Sequence, residues 1–353
     1  MASVLVLPGD GIGPEVTAEA CAVLAQVAPD LELEEARIGG AAIEADGTPL
    51  PDATLARAKA CGLVLLGAVG GPSWDSLPPP ERPEGGLLRI RKELGLFANL
   101  RPARVFPALV DSSPLRRERV DGVDLIVVRE LIGGIYYGEP RGRDSGAGRR
   151  RARNTMVYEE GEIERIARVA FETARRRRRR VTNIHKANVL DVCGLWNEVV
   201  EEVAAKYPDV ELEHQLVDSA AMVLLRDAAH FDVLLCPNLF GDILSDEAAM
   251  MTGSLGLLPS ASVGADARGL FEPVHGSAPD IAGRNLANPL AAILCAAMLL
   301  EHGLGRADAA DRIRQAVERV LEAGCRTADL AGPGEPALGT REMGAKVRAS
   351  LAE

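Results

Sequence analysis

Apolar residues in this chain fall into short unbroken runs set between longer stretches with helical spacing. Residues 3–7, 63–66, 125–128 and 233–236 are dominated by Val, Leu and Ile. Runs of that length predict strands buried on both faces. Residues 15–27, 163–171, 312–321 and 342–351 repeat their apolar positions with helical period and predict helices. Residues 289–300 are apolar nearly all round, which predicts a buried helix. Asn288 stands at its N-cap and Pro289 at its first position. Residues 210–216 alternate weakly. Short strands alternating with helices predict an α/β sheet. Two regions lack such a pattern. Residues 138–153, rich in Gly and Arg, predict an exposed loop or an arm packing on another subunit. Residues 255–280, rich in Gly and Pro, predict loop.

The 353 residues suffice for one large domain or two ordinary ones. Apolar types make up 47% and aromatics 3%, so the core is aliphatic and rich in alanine. A net charge of −11 argues against nucleic-acid binding. The exception, six arginines at 175–180, reads as the solvated end of the preceding helix, where the helix dipole favours cations. Six scattered cysteines without C-x-x-C fit reduced thiols in a cytoplasm, and the five histidines form no H-x-x-x-H pair. No signal-peptide pattern opens the chain, and the longest apolar stretch is too short to span a bilayer. Neither a membrane nor a nucleic acid is therefore expected as a partner.

Asp242 and Asp246 are four apart in an Asn-Leu-Phe-Gly-Asp-Ile-Leu-Ser-Asp run flanked by apolar residues. On a helix they share one face, and the apolar flanks predict that they point into an interior or cleft. A pair of carboxylates there suits Mg²⁺ or Mn²⁺; the alternative is a helix start with acids in its first turns. Arg91, Arg101 and Arg129 lie beside apolar segments, where guanidinium groups suit carboxylates, with surface salt bridges as the alternative. Tyr136 follows a glycine pair and could serve as a general acid if a cation or lysine lowered its pKa; taken alone, it reads as a core or interface tyrosine. Lys186 ends a strand-like segment and could act as a base. Asp218 begins a predicted helix and is either an N-cap or a third metal carboxylate. The loop Gly9-Asp10-Gly11-Ile12-Gly13-Pro14 has proline where the dinucleotide fingerprint needs its third glycine, so a Rossmann site is not expected. In the loop Glu272-Pro273-Val274-His275-Gly276-Ser277-Ala278-Pro279-Asp280, His275 could stack on a flat ring. Asp280 could accept from a ribose diol, and its charge favours NAD over NADP.

These stretches resemble the isocitrate/isopropylmalate β-decarboxylating dehydrogenase family. The resemblance rests on Leu7 to Glu15 (LPGDGIGPE), Leu96 to Pro102 (LFANLRP) and Arg129 to Tyr136 (RELIGGIY). It rests also on Lys186 to Leu190 (KANVL), the Asp242 and Asp246 run and the loop after Glu272. They occur in the family's order over almost the whole chain. The resemblance implies a two-domain α/β fold that is not Rossmann, with the active site in the interdomain cleft. Residues 1–97 and 253–353 would form an NAD-binding domain, and 98–252 a central domain with the dimer interface and arm. Arg91, Arg101 and Arg129 would grip a malate, with Leu87 and Leu88 against an isopropyl group. Asp242, Asp246 and the partner's Asp218 would bind Mg²⁺ or Mn²⁺ and face the substrate. Lys186, also from the partner of a homodimer with shared active sites, would be the base and Tyr136 the acid. Ile12, Glu272, His275, Gly276, Ser277, Ala278, Asp280 and Asn288 would hold NAD. The implied reaction is oxidative decarboxylation of 3-isopropylmalate in leucine biosynthesis, or alternatively of homoisocitrate, isocitrate or D-malate. His185 stands where many isopropylmalate-specific members have aspartate.

Overall fold

The computed structural model describes residues 2–144, 149–266 and 268–352. The chain is α/β, as the alternation of runs and periodic stretches predicts, and forms two compact units. The first comprises Met1–Leu96, Phe106–Ser112 and Thr252–Glu353. The second comprises Phe97–Val105 and Ser113–Met251.

In the first unit five strands lie in the order Glu32–Glu35, Ser3–Gly9, Leu63–Ala68, Gly269–Pro273, Pro259–Val263. All pairs are parallel except the last. Helix Gly13–Val27 packs on this sheet through Val16, Ala20, Val23 and Leu24, which recur with helical period. Helix Leu290–Met298 is buried at every position, which matches its all-round apolar sequence. The helix starts one residue later than expected, with Pro289 at its N-cap, and Asn288 from the position before accepts from the Leu290 N–H at 3.0 Å.

In the second unit the order is Ala98–Arg104, Asp124–Glu130, Val233–Cys236, Arg180–His185, Glu211–Leu216, antiparallel only in the first pair. Helix Glu160–Arg175 begins with a reciprocal capping box between Glu159 and Glu162. It buries Ile163, Ile166, Ala167, Ala170, Phe171 and Ala174 along one face. A separate hairpin joins Gly142–Asp144 to Arg151–Arg153, all exposed. It lies within residues 138–153 and is exposed, as expected of a loop or arm there; residues 145–148 lie outside the described residues.

Two expectations need correction. Residues 255–280 are not simply loop, because the strands Pro259–Val263 and Gly269–Pro273 lie there, paired to each other and buried. Proline and glycine at their ends masked them. The arginine run is a solvated helix end only in part: Arg175, Arg176, Arg178 and Arg179 are exposed, but the run also serves a buried acid. The helix stops at Arg175, and Arg177 Nε donates to buried Asp232 at 2.8 Å, as does the backbone N–H of Arg178 at 2.9 Å. Arg180 already belongs to a strand. A buried carboxylate needs cations and N–H donors, and this run supplies them. All six cysteines are free. Among the described residues no helix is long and apolar enough to cross a membrane.

Candidate active site

In the second unit, strand Asp124–Glu130 delivers Arg129 and helix Asn238–Met250 delivers Asp242 and Asp246. The two elements come this close because position 241 is glycine. A Cβ there would meet the Arg129 Cβ and Cγ at 2.8 Å. Arg129 forms an ion pair with Asp242, whose other oxygen accepts from the Tyr136 hydroxyl at 2.8 Å. Arg101 Nη1 donates to Asp246 and to Ser245 Oγ, both at 2.8 Å. Arg101, Arg129 and Tyr136 thus form two adjoining constellations around the two acids of one helix. Of the interior or cleft expected for the two acids, the interior is excluded: their side chains are 33% and 68% exposed. The helix buries Phe240, Gly241, Leu244 and Ala248 instead, leaving the acids on its flank.

Tyr136 is placed by a tight turn. After the strand, the buried Glu130 carboxylate accepts from Ile132 N–H at 3.2 Å and Gly133 N–H at 2.8 Å. Gly134 then adopts φ +72°, where a Cβ would lie 2.5 Å from the Tyr158 hydroxyl, so only glycine fits. The Tyr136 pKa is raised, first by burial and then by its hydrogen bond to Asp242. Sequence reasoning passed over Asn238, which is fully buried at the junction. Its Oδ1 accepts from Arg129 Nε at 3.0 Å and Nη2 at 2.8 Å. Its Nδ2 donates to the carbonyls of Leu131 at 3.1 Å and Gly133 at 3.0 Å. One side chain therefore fixes both the arginine and the turn that carries the tyrosine. An amide among buried apolar residues was the available signal.

Lys186 and Asp218 form a separate pair at 2.6 Å, and that bond holds the Asp218 pKa below the usual carboxylate range. Asp218 lies in the first turn of helix Val217–Asp227. The adjacent His185 accepts from the Ala187 N–H, and burial followed by the nearby His214 keeps its pKa low. A neutral ring therefore precedes Lys186. Among the described residues no three His, Cys, Asp or Glu side chains of one chain gather as a metal site. The donors of Asp242, Asp246 and Asp218 are all carboxylate oxygens, which match Mg²⁺ or Mn²⁺ in kind.

In the first unit, Arg91 lies on helix Pro83–Glu93 and Glu272 on strand Gly269–Pro273, with Nη2 and Oε1 at 2.5 Å. Arg91 Nε is shut off from solvent and has no partner among the described residues. Leu87 packs partly on the core and Leu88 is 51% exposed, one turn before Arg91. The glycine loop and the loop after Glu272 are joined by the Ile12 N–H, which donates to the Ser277 carbonyl at 2.8 Å. Gly11 has φ +58°, and a Cβ there would approach that carbonyl to 2.0 Å. Asp10, buried, accepts from the N–H groups of Gly40, Ala41 and Gly70, each at 2.8 Å. His275 Nδ1 lies 2.9 Å from the Gly276 carbonyl, and its Nε2 is buried without a partner. Burial keeps the ring neutral by lowering its pKa. Gly276 and Asp280 are exposed, and Ala278 adopts φ +38°. The orphaned His275 Nε2 beside an open loop with an exposed carboxylate fits a dinucleotide's ring and ribose. Asn288, by contrast, spends its side chain inside the protein: Oδ1 accepts from the Leu290 N–H and Nδ2 donates to Asp329 at 3.0 Å.

Such a pairing of arginines, a tyrosine and clustered carboxylates belongs to a class of α/β dehydrogenases. Residues 3–347 match the family described as isocitrate/isopropylmalate dehydrogenase, and the chain belongs to that family. It is 58% identical to the 3-isopropylmalate dehydrogenase of Synechocystis sp., over 99% of this chain and 98% of that protein. It is 55% identical to the 3-isopropylmalate dehydrogenase of Hahella chejuensis, over 99% of each. Among solved structures, isocitrate dehydrogenase from Methylococcus capsulatus superimposes with TM-score 0.87 at 38% identity, covering 100% of both chains.

Proposed function

We propose that this enzyme catalyses the NAD-dependent oxidative decarboxylation of 3-isopropylmalate to 4-methyl-2-oxopentanoate and CO₂, a step of leucine biosynthesis. The observation that carries this reading is near full-length identity with 3-isopropylmalate dehydrogenases in a chain that keeps Tyr136, Lys186, Asp218, Asp242 and Asp246.

Arg91, Arg101 and Arg129 bind the two carboxylates of the malate, and Leu87 and Leu88 receive the isopropyl group. Asp242 and Asp246, with Asp218 of the partner subunit, would hold Mg²⁺ or Mn²⁺. Ile12, Glu272, His275, Gly276, Ser277, Ala278 and Asp280 would hold NAD, with Asn288 supporting that loop from behind. When bound, the cation supplies Lewis-acid stabilisation of oxygen-centred charge and NAD accepts the hydride. Lys186 takes the proton of the C2 hydroxyl as the C2 hydrogen leaves as hydride. The new 2-oxo group then accepts the electron pair released as the C3 carboxylate departs as CO₂. Tyr136 delivers its phenolic proton to C3 of the enolate.

A homodimer with shared sites is part of this reading. Met222 and Leu225 on helix Val217–Asp227, and Ile243 and Met250 on helix Asn238–Met250, are apolar and at least half exposed. Those two helices pack together, so their exposed residues offer a surface for a second copy. The biosynthetic role supports a cytoplasmic location.

The test follows formation of NADH or NADPH with Mg²⁺ for 3-isopropylmalate, isocitrate, homoisocitrate and D-malate, each with NAD and with NADP. The highest kcat/KM for 3-isopropylmalate with NAD is expected. A higher value for another acid would overturn the substrate, and no NADH or NADPH from any of them would overturn the activity.

A further inference from the structure

Glu15 lies in the first turn of helix Gly13–Val27, where the helix dipole alone would account for an acidic residue. Its contacts go further. Oε1 accepts from the Gly283 N–H at 2.5 Å and Oε2 from the Asn285 N–H at 3.0 Å. Gly283 at φ +72° and Asn285 at φ +56° both use the left-handed region, which glycine and asparagine adopt readily, and the two N–H groups that this turn presents are the ones Glu15 receives. Asn285 is fixed from its other side as well, by donating to Glu342 at 2.9 Å and accepting from the Arg341 N–H at 3.0 Å. At the loop's other end, the Ile12 N–H holds the Ser277 carbonyl. The segment that carries Asp280 is therefore tied at 277 and at 283–285 to residues only three apart, at the start of one helix.

We propose that Glu15 is a positioning residue for the cofactor: its carboxylate clamps residues 283–285 and so holds Asp280 where a ribose diol can be bound. The inference rests on the NAD reading above. Glu15 touches no reacting atom, so its effect is on cofactor affinity and not on the chemical step. Charge works in the opposite direction. Removing a negative group near a helix N-terminus would by itself tighten an anionic cofactor. Weaker binding on neutralising Glu15 can thus come only from loss of the clamp.

Glu15→Gln keeps the size and the helix but can accept only through one oxygen, and its NH₂ group faces a donor. Two readouts decide. Hydrogen exchange of the metal-free, cofactor-free protein should accelerate at the Gly283 and Asn285 amides, while the core strand Leu63–Ala68 stays protected. Titration of NADH fluorescence should show a dissociation constant raised on the order of tenfold, as for a loop that keeps its binding conformation about a tenth of the time. The KM for NAD should rise in parallel with kcat held. Exchange unchanged at residues 283–285, or accelerated equally in the core strand, overturns the clamp. Local acceleration with an unchanged NADH constant overturns the positioning role. Failure of the unsubstituted enzyme to bind NADH removes the cofactor reading itself and this inference with it.

Discussion

Asn238→Ala removes four hydrogen bonds at once, two from the Arg129 guanidinium and two to the carbonyls of Leu131 and Gly133. Bonds to a charged group contribute about 1.5–3 kcal/mol each and neutral ones about 0.5–1.5 kcal/mol, so the sum runs from about 4 to 9 kcal/mol. The space vacated admits a water that recovers part of this, and the lower end is expected, about 3–5 kcal/mol. Asn238→Asp separates the two halves of the junction. It keeps the acceptor for Arg129 but turns an oxygen toward the two carbonyls, at 3.1 and 3.0 Å, so the turn before Tyr136 is disturbed and the arginine is not. Urea unfolding followed by circular dichroism measures the stability, and steady-state kinetics separates the effects. Asn238→Asp should lower kcat more than it raises the KM for the malate. An Asn238→Ala protein within about 1 kcal/mol of the parent would refute the accounting. Equal changes in kcat and KM for Asn238→Asp would refute the division of labour.

Burial raises the Glu130 pKa, so the folded protein binds that proton more tightly than the unfolded chain. The stability this gives is fully present below the unfolded carboxylate value of about 4.3 and is lost as pH rises through the folded value. Glu130→Gln should flatten the urea midpoint across that window, and an unchanged pH profile counts against the assignment. Gly11→Ala forces φ +58° on a residue with a Cβ and drives that atom to 2.0 Å from the Ser277 carbonyl. It should cost at least about 2 kcal/mol in thermal unfolding and weaken NADH binding, whereas a neutral substitution would show the two loops free to part. Lys186→Met should reduce turnover at least about a hundredfold with the far-ultraviolet spectrum retained. Near-normal turnover would remove Lys186 as the base.

Some elements were plain in the chain because their cause is local. Residues 233–236 are a strand with the bounds the apolar run predicts, and 163–171 lie within the helix Glu160–Arg175. The strand Glu32–Glu35 has only one apolar residue in four and is half-buried at the sheet edge, so no period marks it. Pro259–Val263 and Gly269–Pro273 are strands because they pair with each other, and the second of them also with Leu63–Ala68, which no local pattern announces. Tyr136, Lys186 and the acids could be named from their motifs. Their partners could not: Arg91 meets Glu272 across 181 positions and Tyr136 meets Asp242 across 106.

By itself the sequence determined the α/β alternation, the aliphatic core and the inventory of arginines, acids, tyrosine and lysine that defines the family. Periodicity and residue type are properties of neighbours along the chain, and burial acts on them directly. Only the tertiary structure decided that Arg177 and Arg178 serve Asp232, that Asn238 joins Arg129 to the tyrosine turn, and that Glu15 holds the loop after Ser277. A buried polar group takes whichever complementary group the packed backbone brings within hydrogen-bond reach. That choice is made in space, between residues whose separation in sequence carries no trace of it.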